Sequence, residues 1–193
     1  MEEFRRIKRE LVAKGAIIDY YQDTMQIPNG NIAKWDLIDH KGAAAVVAVR
    51  EDGKLLMVRQ YRNALERETL EIPAGGLNGR EEPTDQAAMR ELQEETGITL
   101  EESDSIRLVN PLVFSTPGMT DESNALVQIT LNREEMPKVS QDGAVGTECF
   151  DGFLLLTREE AQKILKDGVD DQGLFYPLYT WAALMCFVTG MWE

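Results

Sequence analysis

Cysteine is scarce in this chain. Its 193 residues include two, Cys149 and Cys186, far apart in sequence. They form neither a CxxC pair nor a zinc-ligand pattern, which points to a reduced, cytoplasmic setting. Positive charge is also in short supply: 20 Lys and Arg stand against 34 Asp and Glu, a formal net charge of −14. A surface this acidic repels phosphate backbones, so a nucleic acid polymer is not expected as a partner. An anionic small substrate would be repelled too, unless a metal and local arginines reverse the sign at its site. The N-terminal stretch Met1–Glu10 lacks the apolar core of a signal peptide. One segment, Leu174–Trp192, carries no charged residue and approaches the length of a membrane span. Pro177, Thr180, Thr189 and Gly190 interrupt it, and its flanks are Asp170, Asp171 and Glu193 rather than basic residues. It reads as a buried C-terminal helix, with no membrane as partner. Internal repeats, low-complexity tracts and long linkers are missing as well. What remains is 43% hydrophobic and 28% charged, the balance of a globular domain with a sizeable core.

The first half of the chain has the pattern of strands. Lys14–Ile27 is rich in Ile and Tyr, and Asn29-Gly30 after it is a hairpin signal, because both residues tolerate positive φ. Ile32–His40 alternates as a return strand. Ala43–Val49 is a continuous apolar run that suits a central strand buried on both faces. Glu51–Lys54 is a second hairpin turn, followed by a strand over Leu55–Gln60 and a short one over Leu70–Ile72. A helix is predicted over Thr84–Thr96, with Thr84 as N-cap. Strands are predicted over Ile106–Phe114, Asn124–Leu131 and Phe150–Leu156. A polar loop covers Asn132–Glu148, and helices cover Thr157–Lys166 and Leu174–Phe187. A mixed sheet between helices, α/β or α+β, follows from this order.

The most informative stretch is Gly76–Ile98. On its helix Glu91, Glu94 and Glu95 share one stripe, since positions i, i+3 and i+4 fall on one face. Like charges this close destabilise a bare helix by a few tenths of a kcal/mol per pair, on the order given by model helices. A cation would neutralise them, and carboxylate oxygens suit Mg²⁺ or Mn²⁺. The alternative is a solvated acidic face. Against it stand Glu82, Arg90 and Gly97: Arg90 can pair with Glu82 or a neighbouring carboxylate, and Gly97 sits where a left-handed helix stop belongs.

The spacing Gly-x5-Glu-x7-Arg-Glu-U-x-Glu-Glu-x-Gly-U, with U aliphatic, is met at every fixed position by Gly76, Glu82, Arg90, Glu91, Leu92, Glu94, Glu95, Gly97 and Ile98. This stretch resembles the Nudix box. Three further segments resemble the ADP-ribose pyrophosphatase branch of that family: Val58-Arg59-Gln60-Tyr61-Arg62, Glu71-Ile72-Pro73-Ala74-Gly75-Gly76, and Ser115 to Glu122 with its Pro117-Gly118. The resemblance implies a Nudix α/β/α sandwich with a mixed sheet over residues 41–193. It also implies an N-terminal antiparallel β-sheet subdomain over 1–40, exchanged across a homodimer to complete the partner's pocket.

The resemblance also implies site residues. Glu91, Glu94 and Glu95, with the backbone carbonyl of Ala74, would hold the metal, Mg²⁺ with Mn²⁺ as an option. Glu82 and Arg90 would support them. The general base would be Glu148, on the loop before the last strand, or else Glu94 within the box. Arg62 would contact phosphate, or pair at the surface with Glu66 or Glu68. Trp35 would stack on the base, or sit in a core. His40, the only histidine, stands where relatives carry an arginine or histidine near the pocket, or is structural. Gly118 would lie at the substrate. The activity implied is hydrolysis of a nucleoside diphosphate sugar, foremost ADP-ribose to AMP and ribose 5-phosphate. Alternatives are GDP-mannose, NADH more remotely, or a catalytically silent ligand sensor, which the intact set of box glutamates argues against.

Overall fold

The computed structural model describes residues 3–133 and 150–191. The chain builds ten strands and three helices among the described residues. Strands β1 (Arg5–Lys14), β2 (Asp19–Gln26) and β3 (Ile32–Asp39) form an antiparallel sheet in the order β1-β2-β3. The other strands are β4 (Ala43–Arg50), β5 (Leu55–Arg62), β6 (Arg67–Glu71), β7 (Ala74–Gly76), β8 (Ser105–Phe114), β9 (Ser123–Leu131) and β10 (Phe150–Leu156). They form a mixed sheet ordered β10-β5-β4-β9-β8, with β6 on β5 and β7 on β4. Only β4 and β9 run parallel, in register from Ala43↔Asn124 to Arg50↔Leu131.

Helix α1 (Thr84–Thr96) covers one face of this sheet, while α2 (Arg158–Asp167) and α3 (Leu178–Thr189) cover the other. Alternate residues of β4 serve the two layers. Ala45 and Val47 pack with Ala161, Ile164, Ala183, Leu184 and Phe187 of α2 and α3. Ala44, Val46 and Ala48 pack with Ala87, Ala88 and Leu92 of α1. A strand buried on both faces has no polar face to keep, which is why the run is apolar throughout. The order of layers is an α/β/α sandwich with a separate N-terminal sheet.

Several expected boundaries shift. Helix α1 begins after Pro83, which stands at the N-cap with no side-chain cap bond, so Thr84 is the first helical residue rather than the cap. Proline at the start of a helix loses no bond, since the first N–H groups have no helical partner. The helix ends at Gly97, whose φ of 74° is left-handed and whose N–H donates to the Gln93 carbonyl. Helix α3 begins at Leu178 rather than Leu174, because Pro177 sets the boundary. Strand β1 begins at Arg5, and the first turn falls at Gly15–Ile18, where Gly15 N–H donates to Ile18 O at 2.8 Å. The Asn29-Gly30 hairpin forms with Gly30 at φ 84°.

The N-terminal sheet is tethered to the body at the end of β3. Ile38 N–H donates to Met119 O at 2.8 Å, and His40 N–H donates to Asp121 Oδ1 at 2.8 Å. Arg80 reaches both Asp39, at 2.9 Å, and Asp121, at 3.2 Å. Its strand β1 is exposed along its whole length.

Candidate active site

The stripe on α1 is brought against the backbone of β7. Glu91 and Glu95 are both buried, at 4% and 3% exposure, although each carries a carboxylate. A Cβ placed on Gly75 would lie 2.2 Å from the Glu91 carboxyl carbon. The carboxylate therefore fills the space that a side chain at residue 75 would need. Pairing of β7 with β4, Gly75 opposite Ala44 and Gly76 opposite Ala43, fixes that backbone at the required height.

Arg90 organises the acidic groups. Its Nη1 donates to Glu91 Oε1 at 2.5 Å and to Glu94 Oε2 at 3.0 Å. Its Nε donates to Glu82 Oε1 at 3.2 Å, and its Nη2 to the Gly76 carbonyl at 2.9 Å. Glu82 also accepts from the Asn78 N–H at 2.6 Å. Arg90 thus ties the loop before the helix to the helix itself. Burial alone would lower the Arg90 pKa, but the hydrogen bond to Glu82 and the charge of Glu91 outweigh it and hold the guanidinium protonated. The same bond, with the Asn78 N–H, lowers the Glu82 pKa.

These residues suit a hard divalent cation. They are oxygen donors only, they are largely withdrawn from water, and a glycine backbone is kept bare beside one of them. One arginine balances Glu82, Glu91 and Glu94 together. Among the described residues no three His, Cys, Asp or Glu side chains converge as a finished metal centre.

Beside the stripe lies a cleft of about 820 Å³. Ala74, Gly75 and Gly76 form part of its wall, with His40, Lys41, Arg62, Glu71 and Tyr179 around it. His40 accepts the Gly42 N–H on Nδ1 at 3.1 Å, so this ring nitrogen caps a turn. Arg62 does not pair with Glu66 or Glu68. It donates from Nε to Glu71 Oε1 at 2.6 Å and from Nη2 to Glu71 Oε2 at 2.5 Å. Glu71 is 1% exposed and also accepts from Thr69 Oγ1 at 2.5 Å and from the Tyr179 hydroxyl. Burial of Arg62 opposes its charge, yet Glu71 and Tyr179 raise its pKa above the ordinary value. Burial and the Glu71 charge push the Tyr179 hydroxyl well up.

Two other predicted residues stand apart from the cleft in the single chain. Trp35 is 46% exposed on β3, outside both core and cleft, with its ring 5.9 Å from that of Phe4. Gly118 is exposed in the Ser115–Glu122 loop, where Ser115, Thr116 and Glu122 line the cleft instead. Glu148 lies outside the described residues. The roles of Glu71, Lys41 and Tyr179 were not foreseen. Glu71 lies in the Glu71–Gly76 segment with no role implied for it by the resemblance, and no local signal marks Tyr179, which is 108 residues away from it along the chain.

Comparison with known proteins agrees with this architecture. The model of the NUDIX domain matches residues 39–176. An ADP-ribose pyrophosphatase of Bacillus subtilis (strain 168) is 36% identical over 164 residues, covering 85% of this chain and 84% of the relative. A methanol dehydrogenase activator of Bacillus methanolicus is 34% identical over 166 residues, covering 86% of this chain and 84% of the relative. A crystal structure of an ADP compounds hydrolase superposes with a TM-score of 0.72 at 15% identity, over 100% of this chain and 97% of that one, which supports the fold. The chain belongs to the Nudix family, in its ADP-ribose pyrophosphatase-like branch. By that membership it is an enzyme of the pyrophosphohydrolase class. No helix among the described residues is long and apolar enough to cross a membrane.

Proposed function

We propose that this protein hydrolyses the diphosphate bond of a nucleoside diphosphate sugar, foremost ADP-ribose to AMP and ribose 5-phosphate, with Mg²⁺ or Mn²⁺. The observation that carries this reading is the buried glutamate stripe of α1 set against the glycine backbone of β7, at the wall of an arginine-bearing cleft. The names of the relatives favour an ADP-linked sugar as substrate.

A phosphoanhydride survives in water because its charged oxygens repel nucleophiles. Hydrolysis requires that charge to be neutralised, a water placed in line, and a base to take its proton. Glu91 and Glu95, with Glu94 and the Ala74 carbonyl, are the residues that would hold the cation. When bound, a hard divalent cation neutralises diphosphate charge and makes water a better nucleophile. Arg62 supplies directional N–H donors to the phosphates, and Lys41 adds a positive charge at the same cleft. Glu148 takes the proton from the attacking water. Glu94, its rival for that role, already accepts a hydrogen bond from Arg90.

The active form is a homodimer. An N-terminal sheet with Phe4, Ile7, Leu11 and Val12 all about half exposed or more has not found its packing partner within one chain. In the dimer, the division between residues 1–40 and 41–193 separates the exchanged sheet from the hydrolase domain. Trp35 of one protomer then reaches the base in the other's cleft, with His40 and Gly118 at its rim.

The test is a hydrolysis panel with Mg²⁺, comparing ADP-ribose, GDP-mannose, NADH and a nucleoside triphosphate, with products identified. Preferred turnover of ADP-ribose to AMP supports the reading. Preference for the triphosphate, or no turnover by folded protein with Mg²⁺, contradicts it.

A further inference from the structure

Outside the glutamate stripe, Glu71 is a buried carboxylate bonded to its full capacity. It is 1% exposed and its two oxygens accept four hydrogen bonds, from Arg62 Nε and Nη2, from Thr69 Oγ1 and from the Tyr179 hydroxyl. That fills the usual capacity of a carboxylate, which leaves no lone pair for a metal or a substrate hydroxyl. Its work is therefore done on its neighbours.

Arg62, Thr69 and Tyr179 all line the cleft, and Arg62 is the one among them that carries a charge. Glu71 takes its Nε–H and one Nη2 N–H. Tyr179 takes the other, accepting from Nη2 at 2.9 Å while its own proton goes to Glu71. The remaining nitrogen, Nη1, has no hydrogen-bond partner among the described residues. A guanidinium has five N–H donors in a rigid plane. Three are spent on fixing that plane, and two are left over on the residue that lines the cleft.

We propose that Tyr179 is a positioning residue: its hydroxyl closes a three-membered network with Glu71 and Arg62 that aims the free edge of Arg62 at a substrate phosphate. This role presupposes a diphosphate substrate in the cleft. Glu71 cancels the net charge of Arg62, so Arg62 offers oriented donors, and Lys41 must supply charge. Helix α3, otherwise a packing element of the core, thereby reaches the site through its first turn. Next to Tyr179, Thr180 accepts the Ile72 N–H on its hydroxyl at 3.2 Å, which anchors the same turn without touching Arg62.

That adjacency provides the control. The variants Tyr179→Phe, Thr180→Val and Arg62→Ala are prepared in the full-length chain, and kcat and KM are measured for ADP-ribose with Mg²⁺. An interaction made equally in ground and transition states raises KM and spares kcat. Tyr179→Phe is expected to raise KM by about five- to tenfold, the effect of one net hydrogen bond, with kcat held within about twofold. Arg62→Ala is expected to raise KM further, and adding Tyr179→Phe to it to change KM no more, because the two act as one unit. Thr180→Val is expected to lower the melting temperature and leave KM alone. Unchanged KM in Tyr179→Phe, beside a raised KM in Arg62→Ala, overturns the proposal. So does a KM in Thr180→Val that rises as much as in Tyr179→Phe, since helix anchoring would then explain both. Absence of wild-type turnover on any nucleoside diphosphate sugar overturns the substrate assignment, and this proposal with it.

Discussion

The Glu91 carboxylate occupies the place that a side chain on residue 75 would take, with an ideal Cβ there only 2.2 Å from its carboxyl carbon. Glu91 and Gly75 are thus one structural unit, a buried acid and the bare backbone that makes room for it. Gly75→Ala must displace Glu91 from its position on the stripe. Because small displacements of a reacting group cost about a hundredfold in rate, the variant is expected to lose at least that much kcat. Circular dichroism should show the fold retained, since β7 is only three residues long. Near-wild-type kcat would show that Glu91 need not stand where it does.

Arg90 bonds three glutamates and a carbonyl, so its removal takes one shared counter-charge from Glu82, Glu91 and Glu94. Arg90→Ala is expected to lower stability by about 1.5–3 kcal/mol, the scale of a charged hydrogen bond. A cation that binds only the folded stripe restores stability by mass action. Mg²⁺ should therefore raise the melting temperature of Arg90→Ala more than that of the wild type. A thermal-shift titration reads this directly, and no Mg²⁺-dependent shift in either protein would argue against cation binding at the stripe.

The N-terminal sheet has its own acid-sensitive clasp. Arg9 donates to both oxygens of Asp23 at 2.7 Å, and this bond is the main reason the Asp23 pKa falls below its ordinary 3.8. A carboxylate whose folded pKa is lowered adds stability above its unfolded pKa and loses it as pH falls through the folded one. Sheet stability should be flat above about pH 5 and decline below about pH 4, given an unfolded value near 3.9. Asp23→Asn should remove that pH dependence, as followed by amide exchange of β1 and β2.

The proposed dimer makes a further prediction. Trp35 and Phe4 lie on the outside of the single chain at 46% and 62% exposure. Sedimentation should give a mass near twice 21.7 kDa. Trp35→Ala should raise KM for ADP-ribose by about tenfold or more, on the scale of a stacked base, with the oligomeric state unchanged. A fully active monomer would exclude a site completed in trans.

The box was legible because its signals are local. Helical spacing places Glu91, Glu94 and Glu95 on one stripe, and Gly97 is where a left-handed stop falls. The apolar run of β4 announced its double burial for the same reason. Strand β7 leaves no mark in the sequence, because Ala74–Gly76 has no strand propensity and pairs only because β4 is beside it. The alternative pairing of Arg62 with Glu66 or Glu68 does not form: the register that sets Arg62 opposite Arg67 and Val58 opposite Glu71 puts Glu71 on the face of Arg62 and Glu68, opposite Tyr61, on the other. Tyr179 required the packing of α3 to be known. In the proposed dimer the place of Trp35 depends on a second chain, and no pattern within one sequence encodes that.

The most direct test of the metal-stripe account is the initial rate of ADP-ribose hydrolysis by Glu95→Gln beside the wild type, both with Mg²⁺ after removal of bound metal. Glutamine keeps the shape and burial of Glu95 while removing its charge. The account predicts that wild-type activity returns with Mg²⁺, and that the variant, folded to the same melting temperature or higher, falls by at least about a hundredfold, the scale of a lost charge-stabilising group. Wild-type rates in Glu95→Gln, or full activity of the native enzyme without a divalent cation, would contradict it.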